Sequence, residues 1–374
     1  MIDLGEKRLG FGLMRLPTTD GKNNIDEELL CHLVDCFLKK GFRYFDTAYP
    51  YHNGKSELMV RKYISTRYAR DSFILADKIA PCFVKDQQDL ERIFQEQLIK
   101  CGVEYFDVYL LHNLGVSFYE MAKEQKAFEF LSRKKEEGKV RYIGFSFHDT
   151  PELLDRILEE NQKIDVVQIQ LNYLDWENPA VRSRECLEII RRHQKKAIIM
   201  EPVKGGSLAN LPEEARNCFE QLGNASAASY ALRFAAQQRE VVMVLSGMNS
   251  MEQVVDNTTV MSKPIPLNPE EFKAIENVKD VLRTLDTIAC TRCGYCMAGC
   301  VKQIAISNLF SIYNQWKMFG EVSFPDMHYN KNTSEQGRGK AGECIKCGKC
   351  EEICPQHLNI ISLLEQVAEV FEHK

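Results

Sequence analysis

The stretch FILADKIAPCFVKDQQDLERIFQEQLIKCGVEYFDVYLLH, residues 73–112, reads as strand, helix, strand. FILADKI (73–79) and FDVYLLH (106–112) are short and largely apolar, as parallel strands covered on both faces are. Between them, DLERIFQEQLIKCG (89–102) sets its apolar residues at helical spacing and closes on Gly102, the residue type that ends helices in a left-handed turn. The alternation extends both ways along the chain. Runs of strand character recur at 9–16, 43–48, 140–147, 166–173, 197–203 and 241–247. Amphipathic stretches at 26–41 and 117–138 end on Gly41 and Gly138. Eight strands alternating with helices predict an α/β chain folded as a (β/α)8 TIM barrel. A doubly wound sheet would carry a glycine-rich phosphate fingerprint after its first strand, and GFGLMR (10–15) is not one.

The last quarter of the chain is different. Eight of the 14 cysteines lie there in two runs of C-x2-C-x2-C-x3-C: Cys290, Cys293, Cys296 and Cys300, then Cys344, Cys347, Cys350 and Cys354. This run holds a 4Fe–4S cluster in bacterial ferredoxins, where the fourth thiolate ligates the other cluster. The spacing therefore predicts one cluster on Cys290, Cys293, Cys296 and Cys354, and a second on Cys344, Cys347, Cys350 and Cys300. Pro355 follows the second run, whereas Val301 stands at the matching place in the first. Zinc is the competing metal, but its sites use paired knuckles with four ligands in all. KPIPLNPEEF (263–272) is a proline-rich junction. It divides a barrel at 1–285 from a small, mainly helical, ferredoxin-like domain at 286–374, with helices expected at 304–320 and 360–371.

Composition narrows the function. The 374 residues are 44% hydrophobic and 27% charged, ordinary for a globular protein. With 48 basic against 53 acidic residues the formal charge is -5, which gives no electrostatic case for nucleic acid or an anionic membrane. No apolar run approaches the roughly eighteen residues of a membrane span, and MIDLGEKRLGFG has no signal-type core. Abundant thiols without an export signal fit a reducing cytoplasm.

A barrel carries its chemistry at the C-terminal ends of its strands. Asp46 ends the second run, Lys78 the third and His112 the fourth, while Tyr51 lies in the loop after the second. Singly, each has a structural explanation. Together, at one end of three neighbouring strands, they predict a site. FDTA (45–48) with Tyr51, the Asp77-Lys78 strand end and LLH (110–112) resemble the aldo-keto reductase family over roughly residues 4–285. The resemblance implies hydride transfer between a nicotinamide and a small-molecule carbonyl or alcohol. Asp46, Tyr51, Lys78 and His112 would be the catalytic set. Chemistry agrees: an oxygen gaining negative charge needs a proton, Tyr51 can supply it, Lys78 would lower its pKa, Asp46 would hold the lysine, and His112 can orient the oxygen.

The resemblance also implies a nucleotide site. Ser146 and Gln168 match the carboxamide holders. Asn is expected after Ser146, but Phe147 stands there, with Asn172 or His148 as substitutes. Met200 falls where an aromatic often stacks on the ring. Lys204, Gly205 and Ser207 form a glycine-rich loop suited to phosphate. Ser246, Gly247, Asn249, Gln253 and Asn257 lead into and along a further helix. There, Ser250 and Gln253 would equally make a capping box. Gly247 and Gln253 replace the bases that grip a 2′-phosphate in many relatives, which leaves NADPH and NADH both open. Tyr49, His52, Phe83, Tyr173 and Trp176 are candidate pocket aromatics.

Nicotinamides move electrons in pairs and cubanes singly. Three arrangements join them. In one, the barrel is a carbonyl reductase with an appended electron-transfer domain, open to a redox protein partner. In the second, FMN occupies the barrel and feeds the clusters. In the third, the C-terminal domain is a docking module and the barrel has lost catalysis, which the intact tetrad argues against.

Overall fold

The computed structural model describes residues 2–19, 24–179, 181–223, 225–319, 325–333 and 337–372. They form two compact units, Met1–Pro202 with Ala228–Leu267, and Val203–Ala227 with Asn268–Lys374.

The first unit is a closed parallel barrel of eight strands in sequence order. These are β1 (Leu9–Gly12), β2 (Tyr44–Asp46), β3 (Ile74–Ile79), β4 (Phe106–Leu114), β5 (Val140–Phe147), β6 (Val166–Gln170), β7 (Lys196–Met200) and β8 (Val241–Ser246). Each pairs with the next, and β1 pairs with β8. The expected (β/α)8 fold is what forms.

Side chains on a strand alternate between faces. One alternate set builds an apolar cluster from Tyr44, Ile74, Ala76, Val108, Leu110, Val166, Ile198, Met243 and Leu245, with Leu4 packed against it. One step of two further along, the same alternation reaches Asp46, Lys78, His112, Gln168 and Met200. The apolar positions thus hand over to polar ones at the C-terminal ends. That handover, set by the period of the sequence, is what positions the site.

Two expected elements end differently. β1 stops at Gly12, and Leu13–Arg15 is a 3-10 turn. The helix expected over 117–138 is two, Val116–Glu124 and Ala127–Glu136, broken by Lys126 at φ 52°. Gly102 caps its helix at φ 66°, as its position predicts.

In the second unit, helix Glu213–Glu220 packs on Pro269–Thr284, which begins in a capping box of Asn268 and Glu271. The cysteine-bearing part is an internal repeat. Arg292 and Lys346, at φ 59° and 57°, precede the second cysteine of each run. Gly294 and Gly348, at φ 82° and 79°, follow it. Short helices Tyr295–Ala298 and Lys349–Glu352 come next. The amides of Gln303 and His357 then bond the carbonyls of Cys300 and Cys354. Each half closes with a helix, Ile306–Phe319 or Ile360–Phe371, and these pack on one another. Residue 320, the last of the expected first helix, lies outside the described residues. Leu309, Phe310 and Tyr313 of the first helix join Leu364 and Val367 of the second in one core.

Candidate active site and thiol clusters

The four strand-end residues meet. Lys78 is fully buried, and Asp46, His112 and Tyr51 are 3%, 4% and 8% exposed. The Lys78 Nζ donates to Asp46 Oδ1 at 2.5 Å and to the Thr47 carbonyl at 2.7 Å, and reaches Tyr51 Oη at 3.4 Å. Gln97 Nε2 donates to the Lys78 carbonyl at 3.2 Å. The Tyr51 ring stands edge-on to His112. Asp77, adjacent in sequence, falls in the other alternate set, where it accepts from Cys101 Sγ at 3.6 Å, and burial and then Glu57 raise its carboxyl.

Burial raises the Asp46 carboxyl, and Lys78 opposes the rise. Burial, Lys78 and His148 hold the His112 imidazole well below its ordinary range, so it is neutral and carries one N–H. Burial drives the Tyr51 phenol well above its ordinary value; Asp46 adds to the rise and Arg15 opposes it. The phenol is therefore less acidic than a free tyrosine, where the sequence predicts one made more acidic by Lys78. Tyr51 is instead held in its protonated, donating form, and the opposing cation is Arg15. Arg15 is paired with Glu201 at 3.0 Å, and Glu201 has φ 55°. Neither residue belongs to a motif; a lone arginine after the first strand and an acid after the seventh are the pair's only trace in the sequence.

Among the residues read as nucleotide contacts, Ser146 and Gln168 are cross-strand partners on β5 and β6. Ser146 Oγ accepts from the Asn113 amide at 2.7 Å, and Gln168 Oε1 is buried without a hydrogen bond. Asn172 is committed elsewhere, donating to Asp175 Oδ2 and to the Glu201 carbonyl at 2.7 and 3.0 Å. Met200 pairs with Gln170. Ser246 Oγ accepts from Asn257 Nδ2 at 3.0 Å. Asn249 N donates to Gln253 Oε1 and Gln253 N to Ser250 Oγ, so these residues cap helix Met251–Ser262. Gly247 lies against the Arg15 stem. Lys204, Gly205 and Ser207 belong to the second unit, where a Cβ on Gly205 would stand 2.7 Å from the Thr291 carbonyl. Close packing therefore already accounts for that glycine.

Of the aromatics, Tyr49 and Phe83 pair at 5.5 Å, and Tyr173 and Trp176 both pack on Phe234. His52 Nε2 accepts from the Leu16 amide at 3.2 Å.

In the second unit the charge neighbours of Cys296 are Cys293, Cys290, Cys354 and Cys350, and burial with these thiols pushes it up. Cys350 is pushed up to about 11, by burial first and then by Cys344. The Arg292 amide donates to Cys290 Sγ at 3.4 Å, the kind of contact that tunes cluster thiolates. Cys300 is half-buried and Cys347 exposed. Among the described residues no three His, Cys, Asp or Glu side chains close on a point suited to one ion. A four-iron cube takes one thiolate per iron and asks for a wider gathering. Among the described residues no helix is long and apolar enough to cross a membrane.

The model of the aldo/keto reductase family matches residues 8–280, and that of the 4Fe-4S dicluster domain matches residues 289–359. An uncharacterized oxidoreductase of Bacillus subtilis is 25% identical over 307 residues, covering 74% of this chain and 93% of its own. An aldo-keto reductase of Mycobacterium avium is 26% identical over 278 residues, covering 74% and 87%. Among solved structures, the holo form of an aldo-keto reductase from Bacillus halodurans superposes with a TM-score of 0.59 at 24% identity, covering 74% of this chain and 95% of that one. A Klebsiella pneumoniae aldo-keto reductase in complex with NADPH gives 0.59 at 19%, covering 73% and 90%. These two likenesses speak to the fold.

Proposed function

The chain belongs to the aldo/keto reductase family, with a 4Fe-4S dicluster domain after the barrel, and on that premise we propose that it reduces a small carbonyl compound, or oxidises the matching alcohol, with NAD(P)H. The observation that carries this reading is Lys78 Nζ, buried between Asp46, the Thr47 carbonyl and Tyr51 Oη at the C-terminal ends of the strands.

Bound NAD(P)H supplies a hydride to the carbonyl carbon. Neutral His112 donates its N–H to the substrate oxygen and orients it. Tyr51 gives its phenolic proton to that oxygen as negative charge gathers there. The phenolate that remains faces the Lys78 ammonium, which Asp46 and Thr47 hold in place, until solvent returns a proton. Gln168 fits a nicotinamide because its buried Oε1 is an acceptor without a donor. Ser146 and Met200 complete the ring end, and Ser246, Gly247, Asn249, Gln253 and Asn257 the nucleotide end. Lys204, Gly205 and Ser207 are kept as phosphate contacts to be tested. The Klebsiella relative's NADPH makes that nucleotide the first to try and puts a nicotinamide ahead of FMN.

Residues 286–374 serve as a one-electron module with two clusters, ligated as the spacing predicts, in a reducing cytoplasm and with a redox protein as partner. The thiols that act on Cys296 include Cys293, Cys290 and Cys354 of the first ligand set, with Cys350 of the second after them. The test is nucleotide oxidation by a panel of aldehydes, ketones and 2-oxo acids under anaerobic conditions. Turnover that survives Tyr51→Phe unchanged would refute the reading.

A further inference from the structure

Two carbonyl oxygens on side chains near one hydroxyl are buried with no hydrogen bond: Asn113 Oδ1 on β4 and Gln168 Oε1 on β6. Ser146, on β5 between them, is the cross-strand partner of Gln168 and accepts the Asn113 backbone amide at 2.7 Å. A buried acceptor without a donor is destabilising, and native structures hold few of them. Two flanking one serine call for a ligand that brings donors.

The backbone explains how Asn113 comes to this place. Leu111 pairs with Phe145 and Leu114 with Phe147, so His112 and Asn113 together oppose Ser146 alone. This is a bulge, an extra residue that re-aims side chains and recurs beside active sites. Asn113 takes φ 61°, a left-handed conformation that asparagine tolerates better than most residues. The residue after Ser146 is Phe147, 3% exposed and with no polar side-chain atom.

The two unpartnered oxygens and the serine hydroxyl match one chemical group. Ser146 Oγ has spent a lone pair on the Asn113 amide and keeps its proton to give. Asn113 and Gln168 each offer one oxygen. One donor and two acceptors complement a primary carboxamide, which has one oxygen and two N–H bonds. We propose that Asn113, Ser146 and Gln168 clamp the carboxamide of the nicotinamide ring, with Asn113 Oδ1 accepting one of its N–H bonds. Asn113 thereby does from β4 what Phe147 cannot do from β5. Asn172, one of the two substitutes suggested by sequence, is occupied by Asp175 and Glu201. The inference rests on the nicotinamide reading above.

The test is equilibrium binding to the full-length, cluster-loaded protein of NADP⁺ and of its 3-acetylpyridine analogue, in which a methyl ketone replaces the amide. The analogue can accept from Ser146 but has no N–H to give. Asn113→Gly removes the side chain and suits the positive φ; Asn113→Asp keeps an acceptor. Wild type should prefer NADP⁺. Asn113→Gly should bind NADP⁺ about tenfold more weakly, the loss of roughly one hydrogen bond, and the analogue as before. Asn113→Asp should retain the preference. An Asn113→Gly protein that folds, binds NADP⁺ like wild type and shows only a raised KM for the carbonyl would overturn the clamp and place Asn113 on the substrate. Wild type that binds neither NADP⁺ nor NAD⁺ would sink the nicotinamide reading itself, and the clamp with it.

Discussion

The rings of Tyr51 and His112 stand edge to face, their centroids 5.6 Å apart and their planes crossed at 80°. One side chain holds a proton to transfer, and the other is a neutral donor. A carbonyl oxygen near both would meet two donors at once. The same Tyr51 ring lies 4.9 Å from the Lys78 ammonium, so phenol, imidazole and cation share one buried neighbourhood.

Tyr51→Phe removes the proton and little else. Carbonyl reduction should fall about 10²–10⁴-fold, the usual worth of a positioned general acid, while NADP⁺ affinity stays within about twofold. Steady-state rates beside fluorescence titration decide it. An equal loss in both would mean that Tyr51 shapes the pocket and does not supply the proton.

Lys78→Met strands Asp46 as a buried carboxylate. Breaking one side of such a pair costs about 3–5 kcal/mol of stability, whereas neutralising both sides costs less. The double variant Asp46→Asn with Lys78→Met should therefore unfold in urea at a higher midpoint than Lys78→Met alone. The reverse order would show that the pair contributes little to the barrel.

His112 gives a pH signature. Its folded pKa is depressed, so below about pH 6.5 the unfolded chain takes up a proton that the folded chain refuses. The imidazole's contribution is harmless above that value and increasingly destabilising as pH falls toward the folded pKa. His112→Asn should flatten the drop in unfolding midpoint between about pH 7 and 5. A drop as steep as in wild type would mean that other groups dominate the window.

The cysteine assignment is checked by pairs. Cys296→Ser and Cys354→Ser should lose the same cluster, and Cys350→Ser the other. Each variant should keep about half the iron of anaerobically reconstituted wild type, with distinct spectra for the two classes. Iron and sulfide analysis with electron paramagnetic resonance settles this. A Cys354→Ser protein whose spectrum matches that of Cys350→Ser and not that of Cys296→Ser would break the interleaved scheme. The far-ultraviolet signal of the barrel should survive in all three.

The strands were legible because their signal is long and repeated. Ile74, Ala76 and Lys78 share one face by simple alternation, and the lysine's place could be counted out in advance. Gly102 announced its helix end because glycine is what a left-handed cap favours. Lys126 gave no such notice: a lysine at φ 52° breaks a helix whose apolar pattern runs on through it. The bulge at His112 and Asn113 was hidden for the same reason, since an extra residue in a ladder is defined by its neighbour, not by its own type. Asn113 and the Arg15–Glu201 pair depend on contacts between distant loops and strands. The largest influence on Tyr51, burial, is likewise a property of the folded surroundings.

The ring formed by β1 to β8 has no free edge, but a ribosome delivers it from one end. Leu9 finds its outer partner only when Val244 has been made. Until then the first strand offers unpaired amides and carbonyls on one flank, and the latest strand offers them on the other. Such flanks recruit foreign strands. The last strand to be synthesised is therefore the one that ends the nascent chain's exposure to aggregation, and a truncation before residue 241 leaves both flanks open for good.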